Sequence, residues 1–246
     1  MNNEIAPQVA VSQAIKKPHY DRYAHRTIIL SNLAEGVTHA EITAIVRGGM
    51  LLDIYLRTHD RSCAVSFLNA AEAKTFYDHI RRHNLYLRNK RVEIRWADRH
   101  FVLPGHVANK IGTGATRNLV VRRCDPNISA DAIREDLNHI HNLVVIKVEF
   151  RGGNCFISTN SVHNAMFART CMMSRAKFKG SKIEWDADEC ANPIEKVRVH
   201  RPRQEPVPVK KGLNPMANRF QLLNIEDDED ENISSFPADI SVGITA

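Results

Sequence analysis

No two of the five cysteines stand at Cys-x-x-Cys spacing, and an odd, scattered set (Cys63, Cys124, Cys155, Cys171 and Cys190) argues against a disulfide framework. Reduced thiols in an intracellular protein are expected. No apolar run approaches the roughly 18 residues of a membrane span. The first residues, polar and holding Lys16, Lys17 and Pro18, lack the apolar stretch of a secretory signal. A soluble chain of the cytoplasm, the nucleus or both is expected, with no membrane contact. Catalytic signatures are equally scarce. Gly112-Thr113-Gly114-Ala115-Thr116 is followed by no Gly-Lys-Ser/Thr, so it reads as a connection rather than a phosphate loop. His139, His141 and His163, with Cys155, show no zinc spacing. Asp186, Asp188 and Glu189 have no partner carboxylates at a spacing suited to a two-metal nuclease and read as surface acids. No catalytic residue, metal or cofactor is expected.

What is present is charge, unevenly spread. The formal net charge is +6 although Glu226 to Glu231 is an unbroken acidic run, so the remainder of the chain is more basic than the total. That balance favours a polyanionic partner.

An internal repeat organises the sequence. Slid back by about 91 residues, Arg117-Asn118-Leu119-Val120-Val121 falls on Arg26-Thr27-Ile28-Ile29-Leu30. At nearly the same offset Asn154-Cys155-Phe156-Ile157-Ser158 falls on Ser62-Cys63-Ala64-Val65-Ser66, and Lys182-Ile183-Glu184-Trp185 on Arg91-Val92-Glu93-Ile94. A period of this length is a whole small domain.

Within the first copy, Thr27 to Leu30 is a β-branched run suited to a buried strand. Thr38 and Glu41 form a capping box with Val37 and Ile42 as its staple, and Gly48-Gly49 is the expected stop. Leu52 to Arg57 and Cys63 to Phe67 alternate as a hairpin, with Leu52, Ile54, Leu56, Cys63, Val65 and Phe67 facing inward. Asn69 opens a helix through His83, and Arg91 to Trp96 is the last strand. The second copy repeats the order: a strand at Val120, a helix from Ser129 with Ile128 and Ile133 as staple, strands at Val144 to Phe150 and Cys155 to Ile157, a helix over Ser161 to Met173, and a strand at Lys182 to Asp186. Two βαββαβ units predict an α+β protein of two tandem ferredoxin-like domains, each a sheet with helices on one face and the other face open.

At this point the sequence resembles the RNA-recognition-motif (RRM) family over 26–98 and 117–188. Ile28-Ile29-Leu30-Ser31-Asn32-Leu33 fits the family's first-strand hexamer with Ile29 in the aromatic slot, and Ser62 and Ala64 fall in the aromatic slots of its third-strand octamer. In the second copy these slots hold Val120, Asn154 and Phe156, so only Phe156 keeps the pattern. Glu41 to Gly49, Ala64 to Phe67 with Phe76-Tyr77, and Arg134-Glu135-Asp136-Leu137 are also similar to fungal multi-RRM regulators of the negative-regulator-of-differentiation type, a resemblance that implies messenger-RNA control.

The expected organisation is a disordered arm over 1–24, a first RRM over 25–98, a linker over 99–116, a second RRM over 117–190, and a disordered basic-then-acidic tail over 191–246. Strand parity puts Tyr55, Arg57 and Arg95 on the first open face and Arg122, Lys147, Asn154 and Phe156 on the second, with Arg99 and Lys110 in the linker. These nine residues are the candidates for contact with single-stranded RNA by a non-catalytic monomer. The competing expectation is a protein-interaction scaffold, because sheets stripped of aromatics can take a peptide or helix, on the first RRM above all. A protein partner for the tail, where Phe220, Leu222, Leu223 and Ile225 precede the acids, is a further expectation.

Overall fold

The computed structural model describes residues 19–194; the first 18 residues and the stretch 195–246, including the tail motifs, lie outside the described residues. The first repeat runs β1 (Thr27–Ser31), α1 (His39–Ile45), β2 (Leu51–Arg57), β3 (Ser62–Phe67), α2 (Ala70–His83), β4 (Leu85–Leu87) and β5 (Lys90–Trp96). After α3 (Gly105–Ile111) the second runs β6 (Asn118–Arg122), α4 (Ala130–Leu137), β7 (Val145–Arg151), β8 (Asn154–Thr159), α5 (Val162–Ser174) and β9 (Lys182–Asp186). The antiparallel sheets have the orders β2-β3-β1-β5-β4 and β7-β8-β6-β9. This is the α+β, doubly repeated ferredoxin-like arrangement that periodicity predicts.

Local chemistry accounts for the helix starts. The Thr38 hydroxyl accepts the Glu41 N–H at 3.3 Å while Glu41 Oε2 accepts the Thr38 N–H at 2.9 Å, and Val37 and Ile42 are buried beside them. Ser129 Oγ accepts the Ala132 N–H at 3.1 Å over the buried pair Ile128 and Ile133. Each cap stabilises its helix by about 1 kcal/mol. Helix α1 ends at Ile45, before the two glycines, where Val46 turns extended, and Arg47 Nη1 reaches back to donate to the Thr43 and Val46 carbonyls at 2.5 and 2.6 Å.

The pairing of β2 departs from simple alternation. In β2, Leu51 opposes Phe67 and Asp53 opposes Ser66, which makes Leu52 the extra residue of a bulge. Leu51 and Ile54 therefore enter the core beneath the helices, whereas Leu52 joins a separate cluster with Leu68, Leu103, Val107, Ile111, Ala115 and Val162. That cluster draws on both repeats and on the segment between them, so the stretch expected as a linker is a packed helix. Helices α2 and α5 cover their own sheets over two further cores, one centred on Phe67 and Phe76, the other on Leu119, Ile157 and Met172.

Strand β2 lies at the edge of its sheet, where unpaired backbone groups are a liability. Here the second repeat takes them up. Ile54 N–H donates to the Asn160 carbonyl at 2.9 Å, Leu51 N–H to Asp188 Oδ2 at 2.9 Å, Gly49 N–H to the Cys190 carbonyl at 3.1 Å and Gly48 N–H to the Asn192 carbonyl at 2.8 Å. Residues 191–194, assigned by composition to the tail, thus dock on the first repeat, with Ile194 against its core. At the other end, Leu103 N–H donates to the Arg22 carbonyl at 3.0 Å, so 19–24 also meets the intervening segment.

Candidate nucleic-acid interface

Across the first sheet the register runs Tyr55, Ala64, Ile29, Arg95, all on the face away from the helices. Tyr55 is 53% exposed, and the Arg57 guanidinium lies 5.6 Å from its ring centroid. Between them Ile29 and Ala64 stay low and form the floor of a hollow of about 240 Å³, lined also by Thr27, Arg57, Arg95, Ala97, Asp98 and Arg99. Arg95 reaches Asp98 at 3.7 Å, an exposed pair of small net energy. One end of the face is closed by the segment after β5. Thr27 N–H donates to His100 Nδ1 at 3.1 Å, and Phe101 N–H to Thr27 Oγ1 at 2.8 Å. Burial, then the neighbouring His25 and Arg26, hold His100 below the ordinary histidine range, which keeps Nδ1 an acceptor. These tethers bring Arg99 over the sheet.

The second face is built differently. Its central row is Glu149, Phe156, Val120, Glu184, with Phe156 partly buried and Val120 fully so. The Arg151 guanidinium sits 4.9 Å from the Phe156 centroid. Arg122 Nε lies 3.2 Å from Glu184, Lys147 Nζ lies 2.6 Å from Glu149, and Lys182 also pairs with Glu184. These cations hold both carboxyls below their usual range, chiefly through the hydrogen bond from Lys147 to Glu149 and those from Lys182 and Arg122 to Glu184. Asn154 ties its own turn: Oδ1 accepts the Arg123 N–H and Nδ2 donates to the Gly152 carbonyl, both at 3.3 Å. Of the nine candidates, Arg57, Arg95 and Arg99 converge and Tyr55 flanks them. Phe156 stands apart with Arg151, which sequence parity passed over, and Arg122, Lys147 and Asn154 are engaged by neighbours. Lys110 is exposed in the last turn of α3.

No family model matches the chain. It is 25% identical over 191 residues to the meiotically up-regulated gene 24 protein of Schizosaccharomyces pombe, covering 78% of this chain and 29% of that one. It is 28% identical over 205 residues to the RNA-binding protein MRN1 of Saccharomyces cerevisiae, covering 78% and 33%. The chain therefore spans about a third of the length of these relatives. For their resemblance to the RRM family, the two repeats are designated RRM1 and RRM2. Among solved structures, the first two RRM domains of yeast poly(U) binding protein are 19% identical over 66% of this chain and 99% of that one, at a TM-score of 0.25. The N-terminal three RNA binding domains of yeast splicing factor Prp24 are 13% identical over 68% and 63%, at 0.29.

Away from the faces, the junction of RRM1 and RRM2 holds a charge cluster that sequence reading took for surface acids. Asp188, Glu189 and Cys190 bring their ligand-type atoms within 4.8 Å of one another. The site is already filled by a cation. Arg117 Nη2 lies 2.7 Å from Asp188 and 2.8 Å from Glu189, and Arg117 and Asp188 are buried. Such a donor set serves the junction rather than a metal ion. On the helical side of RRM2, His139, His141, His163 and Cys171 border a cavity of about 570 Å³, with His139 Nε2 3.8 Å from Cys171 Sγ. Among the described residues no helix is long and apolar enough to cross a membrane.

Proposed function

We propose that this chain binds single-stranded RNA without catalysis, RRM1 contributing mainly charge and RRM2 mainly base contact. The observation that carries the reading is that each open sheet face presents an aromatic ring with a guanidinium over it, Tyr55 with Arg57 and Phe156 with Arg151. An unstacked base is recognised by such flat, π-bearing partners, at about 1 to 3 kcal/mol per base. The Saccharomyces cerevisiae relative MRN1, itself named an RNA-binding protein, supports this reading. Messenger RNA as the target, a monomeric state and a role in post-transcriptional control in the cytoplasm or nucleus extend the same proposal.

The test is filter retention of a mixed single-stranded RNA pool at two salt concentrations, with and without magnesium. Retention should fall with a log–log salt slope of about −0.7 per phosphate, over roughly three to six phosphates. A flat salt response, or no retention, favours the protein-interaction scaffold. Magnesium-dependent shortening of the RNA would overturn the non-catalytic assignment.

A further inference from the structure

We propose that the hollow on RRM1 takes a phosphodiester of the RNA strand at the place where RRM sheets ordinarily stack a base. The inference rests on the RNA-binding reading and deepens it. Ile29 and Ala64 occupy the aromatic slots and form the floor, so the floor offers no ring on which a base can stack. The walls offer Arg57, Arg95 and Arg99 against a single acid, Asp98, itself 93% exposed and shared only with Arg95. Three guanidiniums around one depression match the tetrahedral, multiply accepting oxygens of a phosphate, which their planar N–H forks bind in bidentate fashion. The apolar floor excludes water from one side and strengthens those hydrogen bonds.

Each arginine is also held in place by a separate device. Arg57 rests against the Tyr55 ring, Arg95 projects from β5 beside Asp98, and Arg99 is carried over the sheet by the bonds of His100 and Phe101 to Thr27. RRM2 shows the contrast: Arg122 and Lys147 are matched by Glu184 and Glu149 on the same face, leaving less charge for a phosphate. With the phosphate seated beside Arg57, the exposed ring of Tyr55 is the nearest platform for an adjoining base.

The experiment uses the full chain and a short labelled RNA recovered from the retained pool, synthesised with one uncharged methylphosphonate linkage at each position in turn. Arg95→Gln and Arg99→Gln are compared with the parent and with Arg82→Gln, an exposed arginine on α2. The parent should lose about tenfold in affinity at one linkage, as expected for a charge-assisted hydrogen bond. Arg95→Gln and Arg99→Gln should each lose about tenfold on unmodified RNA, be indifferent to that one linkage, and keep the parent's base preference. Arg82→Gln should keep the parent's sensitivity. If the losses add at every linkage while RNA still binds, the arginines act as diffuse charge and the phosphate site is wrong. A change of base preference in Arg95→Gln overturns it as well. Failure of the parent to bind unmodified RNA removes the RNA reading itself, and this inference with it.

Discussion

Arg117 and Asp188, 71 residues apart in the chain, meet at 2.7 Å with their side chains 0% and 1% exposed, and the far oxygen of the same carboxylate accepts the backbone N–H of Leu51 in RRM1. Burial pulls the Arg117 pKa down, and Asp188, with Cys190 and Glu189 beside it, more than reverses this, so the guanidinium is held above its ordinary value. One carboxylate thus joins the start of RRM2, its end and the edge strand of RRM1.

Asp188→Ala should therefore cost about 3 kcal/mol, because it leaves the buried guanidinium with Glu189 as its one remaining carboxylate partner among the described residues and the Leu51 N–H without its acceptor. Asp188→Asn, which keeps an acceptor, should cost less. Denaturant unfolding followed by tryptophan fluorescence measures both. A loss below about 1 kcal/mol for the alanine variant would show that Glu189 or water compensates the guanidinium and that Asp188 does not hold the junction.

Asp53 predicts a pH dependence. It lies opposite Ser161 of RRM2, and burial pushes its carboxyl up to about 6 from an ordinary 3.8, against a smaller opposing pull from the Ile54 N–H. The folded chain then holds this proton more tightly than the unfolded one, so its contribution to stability is lost as pH rises from about 4 to 6. Asp53→Asn should stabilise the chain by about 1 to 3 kcal/mol near neutral pH and by almost nothing near pH 4. Urea midpoints measured across that interval decide it, and a gain independent of pH would rule out the carboxylate as the cause.

Phe156→Ala should leave the fold within about 0.5 kcal/mol of the parent, because the ring stands on the open face while Cys155 and Ile157 fill the core. RNA affinity should fall by about 1 to 3 kcal/mol, the scale of one base stack. Ala64→Ser, at the matching slot of RRM1, should change it little. Titration with circular dichroism as the folding control separates the two effects, and unaltered binding by a folded Phe156→Ala chain would turn attention to a protein ligand.

Removal of residues 212–246 takes away about six net negative charges. Nonspecific RNA binding at low salt should tighten in consequence, by an amount that shrinks as salt is added. Equal or weaker binding by the shortened chain would show that the acidic run does not compete with RNA.

Much of the fold was legible because its signals are local: the Thr38–Glu41 box, the Ser129 cap and the alternation of Cys63 to Phe67 are all written within a few residues. The junction was not, because it is made of distant pairs. Two signals for it were nevertheless present. Val107 and Ile111 stand four apart on α3, and Leu103 and Ala115 continue that spacing just outside it, a signal hidden by the flanking Pro104-Gly105 and Gly112-Thr113-Gly114. Arg117 has the parity of Leu119 and Val121, which put a cation in the interior and demanded an acid there. The hollow was half legible. Parity placed Arg57 and Arg95 on one face, but the approach of Arg99 depends on how His100 and Phe101 bond to Thr27, which no periodicity encodes.

The completion of the β2 edge by residues so far downstream has a consequence for the nascent chain. Asp188 follows Leu51 by 137 residues. At about 5 to 20 residues per second of synthesis, roughly 7 to 27 seconds pass between the two. Throughout that interval RRM1 can gather most of its core, Cys190 and Ile194 still to come, while Leu51 and Ile54 offer backbone groups to any strand nearby. The period of greatest exposure to mispairing on the ribosome is thus set by the translation rate of RRM2, and slow codons within 117–188 should lengthen it.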